Sequence, residues 1–354
     1  MNSTRVALFR GSQVGHHIEE VPLQLEEGEV LVQVRLTSIC ASDLHSYAGR
    51  RSCPTPCVLG HEIVGEIVDA RGDNLGYANA DNKIQIGDRV TWSLTVSCKT
   101  CDRCRRGIPQ KCQRVFKFGH DLFRGSNPSG GFAEHCVLPS GTDIFKLPDT
   151  LSDEECVAAN CALGTAAAAL DAADTSFEGR RVLVQGAGMV GLALIGFASY
   201  QGAEVIVSEP SEHRREWARR FGAADVLDPT TSWTEFDPVD VAWEVSGQPA
   251  AINTGLELVD TGGMYVLVGS VFPSPPWSID PESVVRNLWT IRGVHNYSPR
   301  DLRVALDLLE RTQSLFPWAD CVETIDSLSS IDEALARAAS SYAPRVAIRP
   351  GRNR

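Results

Sequence analysis

The sequence predicts an α/β protein in which a mainly β first part precedes a doubly wound parallel sheet. Three observations carry this. To about residue 150 the apolar runs are short and alternating, as in Ile63 to Val68 and Arg89 to Leu94, with glycine and asparagine breaks between them. From about Ser152 strands and helices alternate. A helical stretch, Asp153 to Ala173, leads to the apolar strand Arg181 to Gln185, a helix (Val190 to Gln201), a strand (Glu204 to Ser208) and a helix (Ser211 to Phe221). Val239 to Val245 and Met264 to Val268 read as further buried strands. Such alternation builds right-handed βαβ units on a parallel sheet. Third, Gly186-Ala187-Gly188-Met189-Val190-Gly191 reads G-x-G-x-x-G between a strand and a helix, the context in which that pattern holds a dinucleotide.

A chain of 354 residues is long enough for two domains with separate cores. Its hydrophobic fraction of 43% and charged fraction of 22% are ordinary for a soluble globular protein. A net charge of -12, with the basic residues scattered, argues against nucleic-acid binding. No apolar stretch is long enough to span a bilayer: Val157 to Ala173 is interrupted by Asn160, Gly164 and Asp171. No secretory signal is visible at the N-terminus, so a cytoplasmic location is expected. Eleven cysteines in such a chain point to metal binding or catalysis before disulfides.

The first candidate site lies just past the strand-like run Val30 to Leu36. In Cys40-Ala41-Ser42-Asp43-Leu44-His45 a thiol, a hydroxyl, a carboxylate and an imidazole fall within six residues. A polar turn with one buried cysteine is the competing reading of the hexad taken alone. Gly60-His61-Glu62 follows, and Cys161 lies far downstream. Two cysteines and one histidine form a zinc set that leaves the fourth position open, as a catalytic metal requires.

Cys98, Cys101, Cys104 and Cys112 are spaced C-x2-C-x2-C-x7-C. Four thiolates on tight turns can close a tetrahedral zinc site that is structural. Reduced core cysteines or an iron–sulfur cluster are the alternatives. The dense spacing in a charged lobe argues against chance burial.

In the glycine-rich run Gly186 permits the tight turn, Gly188 lets a pyrophosphate approach the backbone, and Gly191 lets the helix pack on the sheet. The phosphates would rest on the positive end of the helix that Met189 and Val190 open. Glu209, at the end of the next strand, can accept hydrogen bonds from the ribose hydroxyls and would repel a 2′-phosphate, so NAD is expected over NADP. Arg214 could pair with a 2′-phosphate or stack on adenine.

With these motifs in one chain and in this order, the sequence resembles the zinc-dependent medium-chain alcohol dehydrogenase family. The likeness also takes in Gly130-Gly131-Phe132-Ala133-Glu134 and Val268-Gly269. It implies a GroES-like β-barrel catalytic domain over 1–150 and 295–354, with a structural-zinc lobe at about 95–115. A Rossmann NAD-binding domain would fill 151–294. It implies two zincs per chain, with the catalytic one held by Cys40, His61 and Cys161 and with Glu62 beside it or exchanging as a ligand. Glu155 is a rival to Cys161. Ser42 and His45 would relay the substrate proton, and Asp43 would orient His61. Thr165, Val294 and Gly269 would lie along the cofactor, and Arg345 would reach the pyrophosphate. Chain segments such as Gly107 to Cys112 and Lys117 to His120 also resemble the branch described as phosphonate-catabolism-associated alcohol dehydrogenases.

The expected activity is therefore interconversion of a small polar alcohol with its aldehyde or ketone, with an alcohol that bears a phosphonate or phosphate as the narrower expectation. Arg50, Arg51, Lys117, His120 and Arg124 are candidates for holding such a group, against the alternative of solvated surface charges. The rival activity is reduction of a ketone or enone on a cyclitol or sugar phosphate. A catalytically silent NAD-binding protein would have lost one of Cys40, Ser42, His61 or Cys161, and all four are present. The resemblance also implies a homodimer or homotetramer through the Rossmann domain, with Tyr265 to Ser270 and Phe272 to Trp277 as contact stretches.

Overall fold

A computed structural model describes residues 2–12, 14–72, 77–79, 82–230 and 237–351. Its internal contacts divide the chain into two units. The first comprises Met1–Cys161, Ser298–Leu306 and Trp318–Arg354, and the second Ala162–Tyr297 and Asp307–Pro317.

The first unit is built on the strand Val30–Ser38. Val30, Leu31, Val32 and Val34 are buried while Gln33 and Arg35 face out, and Leu36, Thr37 and Ser38 are then buried in succession. The strand is central in a seven-stranded sheet ordered Ile144–Lys146, Arg89–Trp92, Glu62–Ala70, Val30–Ser38, Arg345–Ile348, Val322–Ile325, with His135–Leu138 also paired to Val30–Ser38. A smaller sheet orders His16–Pro22, Ser3–Phe9 and Cys57–Val58. One core gathers Val32, Ile63, Ile67, Trp92 and Phe118. Ser38 lies opposite both Glu62 and Ala347, so the ends of three strands meet where the metal set is expected.

The second unit holds a six-stranded parallel sheet in the order Asp225–Leu227, Glu204–Ser208, Arg181–Gln185, Val239–Glu244, Val259–Leu267, Thr290–Gly293. Its inner strands Arg181–Gln185, Glu204–Ser208 and Val239–Glu244 are mostly buried apolar runs, as a sheet covered on both faces requires. The first strand of the unit lies between the second and the fourth. Order reverses there, opening a crevice at the strands' carboxyl ends.

Two expectations shift, the units fall at other bounds than the expected domains, and one competing reading falls away. The long helix Asp153 to Ala173 is three pieces: Asp153–Cys156, a π-helical turn Ala159–Leu163, and Gly164–Ala172. Asn160 departs from helical geometry there because its amide is used across to a neighbouring strand. The units divide at Cys161/Ala162 and Tyr297/Ser298 instead of at 150/151 and 294/295, and 307–317 returns to the second unit. The Cys40 hexad is no turn: Cys40 caps the helix Ala41–Tyr47. Tyr265 and Val266, expected in a subunit contact, are fully buried in the second unit's own core, whereas Val271 is 49% exposed. Among the described residues no helix is long and apolar enough to cross a membrane.

Candidate metal centre and dinucleotide loop

Sulfur of Cys40, ring nitrogen of His61 and sulfur of Cys161 converge within 4.8 Å of one another. Each arrives from a different element. Cys40 follows the strand Val30–Ser38, and His61 precedes Glu62–Ala70. Cys161 sits in the π-helical turn, a feature often found at functional sites. Gly60 has φ +83, and a Cβ there would lie 2.6 Å from the Phe132 ring, so the backbone entering His61 admits only glycine.

Asp43 holds two of the ligands. Its Oδ2 accepts from the Cys40 backbone N at 2.9 Å, and its Oδ1 lies 3.3 Å from His61 Nδ1. That leaves Nε2 of His61 facing Ser42 Oγ at 3.4 Å. Burial alone would lower the His61 pKa, but Asp43 and Cys40 together raise it to about 10. The Cys161 hydrogen bond, with His61 and Arg345, holds the Cys40 thiol well below its ordinary range despite burial. Cys161, hydrogen-bonded to Cys40 and buried, is pushed up. One thiolate and one thiol is the stable arrangement of this pair without a cation, and binding a metal requires both to ionise. Two sulfurs and an imidazole are a donor set that fits zinc and spares one coordination position.

Glu62 is outside this convergent group. Its buried carboxylate accepts from Arg345 Nε at 2.8 Å and Nη2 at 3.0 Å, and from the Ser38 hydroxyl. Burial raises its pKa against the opposing pull of Arg345. As a direct ligand Glu62 would first have to leave that ion pair. Arg345, expected at a pyrophosphate, is itself buried and engaged with Glu62 and the Pro344 carbonyl. Glu155, the rival ligand, accepts from Ser152 N at 2.7 Å and Ser152 Oγ at 2.9 Å in a helix capping box.

The second donor group is Cys98, Cys101, Cys104 and Cys112, also within 4.8 Å of one another. Backbone N–H groups point at the sulfurs: Cys101 N to Cys98 at 3.3 Å, and Cys98 N and Arg114 N to Cys112 at 3.3 Å each. Such donors stabilise thiolates before any metal enters. The Arg114 side chain is the largest cause holding Cys98 down to about 4.

In the second unit the glycine run is shaped by close contacts. A Cβ on Gly191 would lie 1.9 Å from the Gly186 carbonyl oxygen, and one on Gly186 would lie 3.2 Å from Ser246. Beside Gly188 nothing lies within 4 Å. The helix Met189–Tyr200 thus presents an open first turn, of the kind a pyrophosphate approaches. Glu209 is buried, with Oε2 accepting from Ala187 N and Oε1 from Ser211 N, both at 2.9 Å. Arg214 is exposed on the helix Glu212–Arg220. Thr165 and Val294 are half-buried, in Gly164–Ala172 and just past Thr290–Gly293.

Residues 26–149 match the alcohol dehydrogenase GroES-like domain, and residues 189–311 match the zinc-binding dehydrogenase domain. L-threonine 3-dehydrogenase of Pyrococcus horikoshii is 36% identical over 286 residues, which cover 76% of this chain and 77% of that one. The chain belongs to the zinc-dependent medium-chain alcohol dehydrogenase family. L-threonine 3-dehydrogenase of Pseudoalteromonas translucida is 30% identical over 77% of this chain and 78% of its own. An alcohol dehydrogenase of Thermotoga maritima superposes with a TM-score of 0.91 at 25% identity, covering 98% of this chain and 99% of that one.

Three residues of this medium-chain dehydrogenase escaped the sequence reading. Asn160 is fully buried; its Oδ1 accepts from Ile63 N and its Nδ2 donates to the His61 carbonyl, each at 3.1 Å. It ties the Cys161 turn to the strand end that carries His61. Ser38 supports Glu62. Glu244, fully buried at the end of Val239–Glu244, accepts from Ser246 Oγ at 2.7 Å and Gly247 N at 2.6 Å. It shapes the loop that faces Gly186. A polar residue inside an apolar run was the available signal at Asn160 and Glu244, but only the fold identifies their partners.

Proposed function

We propose that this zinc-dependent dehydrogenase interconverts a small polar alcohol and its aldehyde or ketone with NAD(H). One zinc would be held by Cys40, His61 and Cys161 and a second by the four-cysteine lobe. The observation that carries the reading is the convergence of the three first-site donors, with Asp43 accepting from the Cys40 backbone N and lying 3.3 Å from His61 Nδ1. When bound, zinc supplies Lewis-acid polarisation of the alcohol oxygen, and the nicotinamide supplies the hydride acceptor.

The chain's own residues then do three things. Asp43 fixes the His61 ring so that Nε2 is the ligating nitrogen, an arrangement that also raises ligand basicity. Ser42, beside that nitrogen, is placed to take the substrate's hydroxyl proton. His45 is the next proton carrier, but Arg50 Nε donates to its Nδ1 at 3.0 Å, leaving the neutral ring's proton on Nε2. Burial, then Arg50, lowers the His45 pKa, Cys40 opposes, and Arg51 adds to the lowering. A relay through His45 therefore requires Arg50 to release Nδ1.

Glu209 supports NAD over NADP, because a buried carboxylate at that strand end opposes a 2′-phosphate. Thr165 and Val294 are assigned to the nicotinamide end and Gly269 to the cofactor, while Arg345, already paired with Glu62, would have to leave that carboxylate to reach a pyrophosphate. A homodimer or homotetramer through the second unit is part of the same reading. The finer substrate reading, an alcohol bearing a phosphonate or phosphate, rests on the cations beside the metal centre.

The test is metal content per chain paired with an NAD⁺-reduction screen over simple alcohols, polyols and hydroxyalkyl phosphates or phosphonates, and with carbonyl reduction by NADH. Two zincs and turnover are expected. One zinc with no turnover in either direction would leave the lobe standing and overturn the Cys40–His61–Cys161 assignment.

A further inference from the structure

The basic residues near the metal centre separate into two kinds. Arg50 is exposed and spent on His45, and Arg124 is exposed, with Asp121 in electrostatic reach. Arg51 and Lys117 are half-buried, and among the described residues neither has an ion-pair partner.

Arg51 is held from two sides. Its backbone N donates to the His45 carbonyl at 3.1 Å, at the end of the helix Ala41–Tyr47. Its Nη1 reaches Nε2 of His120 at 2.5 Å. The other ring nitrogen of His120, Nδ1, lies 2.8 Å from the Phe118 carbonyl oxygen. A carbonyl only accepts, so Nδ1 carries the proton and Nε2 offers its lone pair to Arg51. Burial first, then His61, Lys117 and Arg51, holds the His120 pKa well below its ordinary value, in keeping with that neutral ring. The His120 ring lies 4.9 Å from the His61 ring, so Arg51 stands one side chain away from a metal ligand.

Lys117 is the second cation. Burial, and then the positive charge of Arg51, lowers its pKa, while Cys161 and Cys40 oppose this. With zinc in place those two thiolates are formally neutralised by the metal and do not balance the pair. Two like charges kept together and partly desolvated, with no protein carboxylate between them, are unfavourable unless a ligand supplies the counter-charge.

We propose that the alcohol substrate carries an oxyanion group, carboxylate, phosphate or phosphonate, which Arg51 and Lys117 bind and for which His120 positions Arg51. This deepens the dehydrogenase reading, since it concerns the same site. A guanidinium anchored by one N–H keeps its remaining donors for a planar or tetrahedral oxyanion, and the lysine adds a point charge. Arg51 and Lys117 are then specificity-determining, and His120 is a positioning residue that does not touch the substrate.

The experiment uses zinc-loaded protein in two arms. Calorimetry measures binding of inorganic phosphate, methylphosphonate and acetate without turnover. Steady-state kinetics compares each of three hydroxyalkyl acids, a carboxylate, a phosphate and a phosphonate, with a neutral alcohol of similar size. At least one oxyanion should bind, and the anionic partner of that class should have the higher kcat/KM. Arg51→Gln and Lys117→Met should each weaken that binding by roughly ten- to a hundredfold, the scale of one charge-assisted hydrogen bond, and shrink the anionic preference through KM more than kcat. His120→Leu should weaken it too, and His120→Gln, whose amide can still face Arg51 and the Phe118 carbonyl, should restore part of the loss. Which probe binds decides among the three oxyanions.

Failure of each reading looks different. Turnover of neutral alcohols with no oxyanion binding overturns the cation pair and leaves the dehydrogenase intact. Oxyanion binding lost in Arg51→Gln, with no alcohol oxidised and no carbonyl reduced, supports the cation pair and sinks the dehydrogenase reading. Binding that is indifferent to all four substitutions overturns the proposal.

Discussion

In the proposed proton relay one hydrogen bond, from Arg50 to His45, should set the pH range. Arg50 donates to His45 Nδ1, and burial with Arg50 lowers the ring's pKa. Removing the donor in Arg50→Met should raise the His45 pKa and move the acid limb of the kcat–pH profile for alcohol oxidation to higher pH, because the base must be unprotonated to act. A profile that stays in place would remove His45 from the relay. Asn160 bears on the proposed metal site instead. Its amide joins His61 and Ile63 to the turn that carries Cys161. Asn160→Ala should therefore weaken zinc retention at the first site by about ten- to a hundredfold, the range for lost outer-shell partners. Chelator competition reads this directly, with the four-cysteine zinc as an internal control. Glu62 and Arg345 form a buried ion pair, and Glu62→Gln leaves an unbalanced guanidinium. That should cost about 3–5 kcal/mol in urea unfolding of zinc-loaded protein, with the double variant Glu62→Gln, Arg345→Met recovering most of it. A double-variant loss equal to the sum of the Glu62→Gln and Arg345→Met losses would show that the pair is not coupled.

At the scale of elements, the turn between Arg181–Gln185 and Met189–Tyr200 separates two uses of glycine. Gly191 is required by packing, since its Cβ would meet the Gly186 carbonyl at 1.9 Å, whereas Gly188 borders open space. Gly188→Val should leave the melting temperature nearly unchanged and abolish NADH binding in a fluorescence titration. Gly191→Ala should lower stability whether or not cofactor is present. The reverse pattern would mean that the pyrophosphate does not approach this turn. The cysteine lobe follows the same logic of local geometry: Lys99 takes φ 57 and Gly107 φ 77, letting the chain fold back so that four sulfurs meet. Its backbone N–H donors lie within the lobe, so the spacing of the cysteines was enough to locate it.

For the whole molecule, two histidines that are not among the candidate metal donors, His16 and His135, should shape the response to acid. Burial lowers the pKa of His16, against the pull of Asp332, and lowers that of His135. The unfolded chain protonates both near 6.5 and the folded chain only at lower pH, so between those values the unfolded state binds more protons. Stability should therefore fall as pH drops from 7 toward 5.5, at about 2–4 °C of melting temperature for each kcal/mol lost. Substituting His135 by Gln should flatten that slope, and an unchanged slope would place the acid sensitivity elsewhere.

Much of the protein was legible from sequence because its motifs are local or periodic. The strand–helix alternation declared the parallel sheet, the cysteine spacing declared the lobe, and the glycine run between strand and helix declared the dinucleotide turn. Other features depend on partners distant in the chain. Nothing near Arg345 in sequence announces Glu62, 283 positions away, as the group its guanidinium holds. The break in the helix at Asn160 has its cause 97 residues earlier, in an N–H that needed an acceptor. The basic residues near the hexad looked equivalent in a row of letters, and the fold committed Arg50 to His45 while, among the described residues, Arg51 and Lys117 have no carboxylate partner. The sequence by itself determined the strand–helix alternation and the four-cysteine lobe, because those follow from residue type and spacing, while Cys161 was named through the family resemblance. Tertiary structure decided which charges are paired within the fold, because that depends on the neighbours folding brings to each side chain.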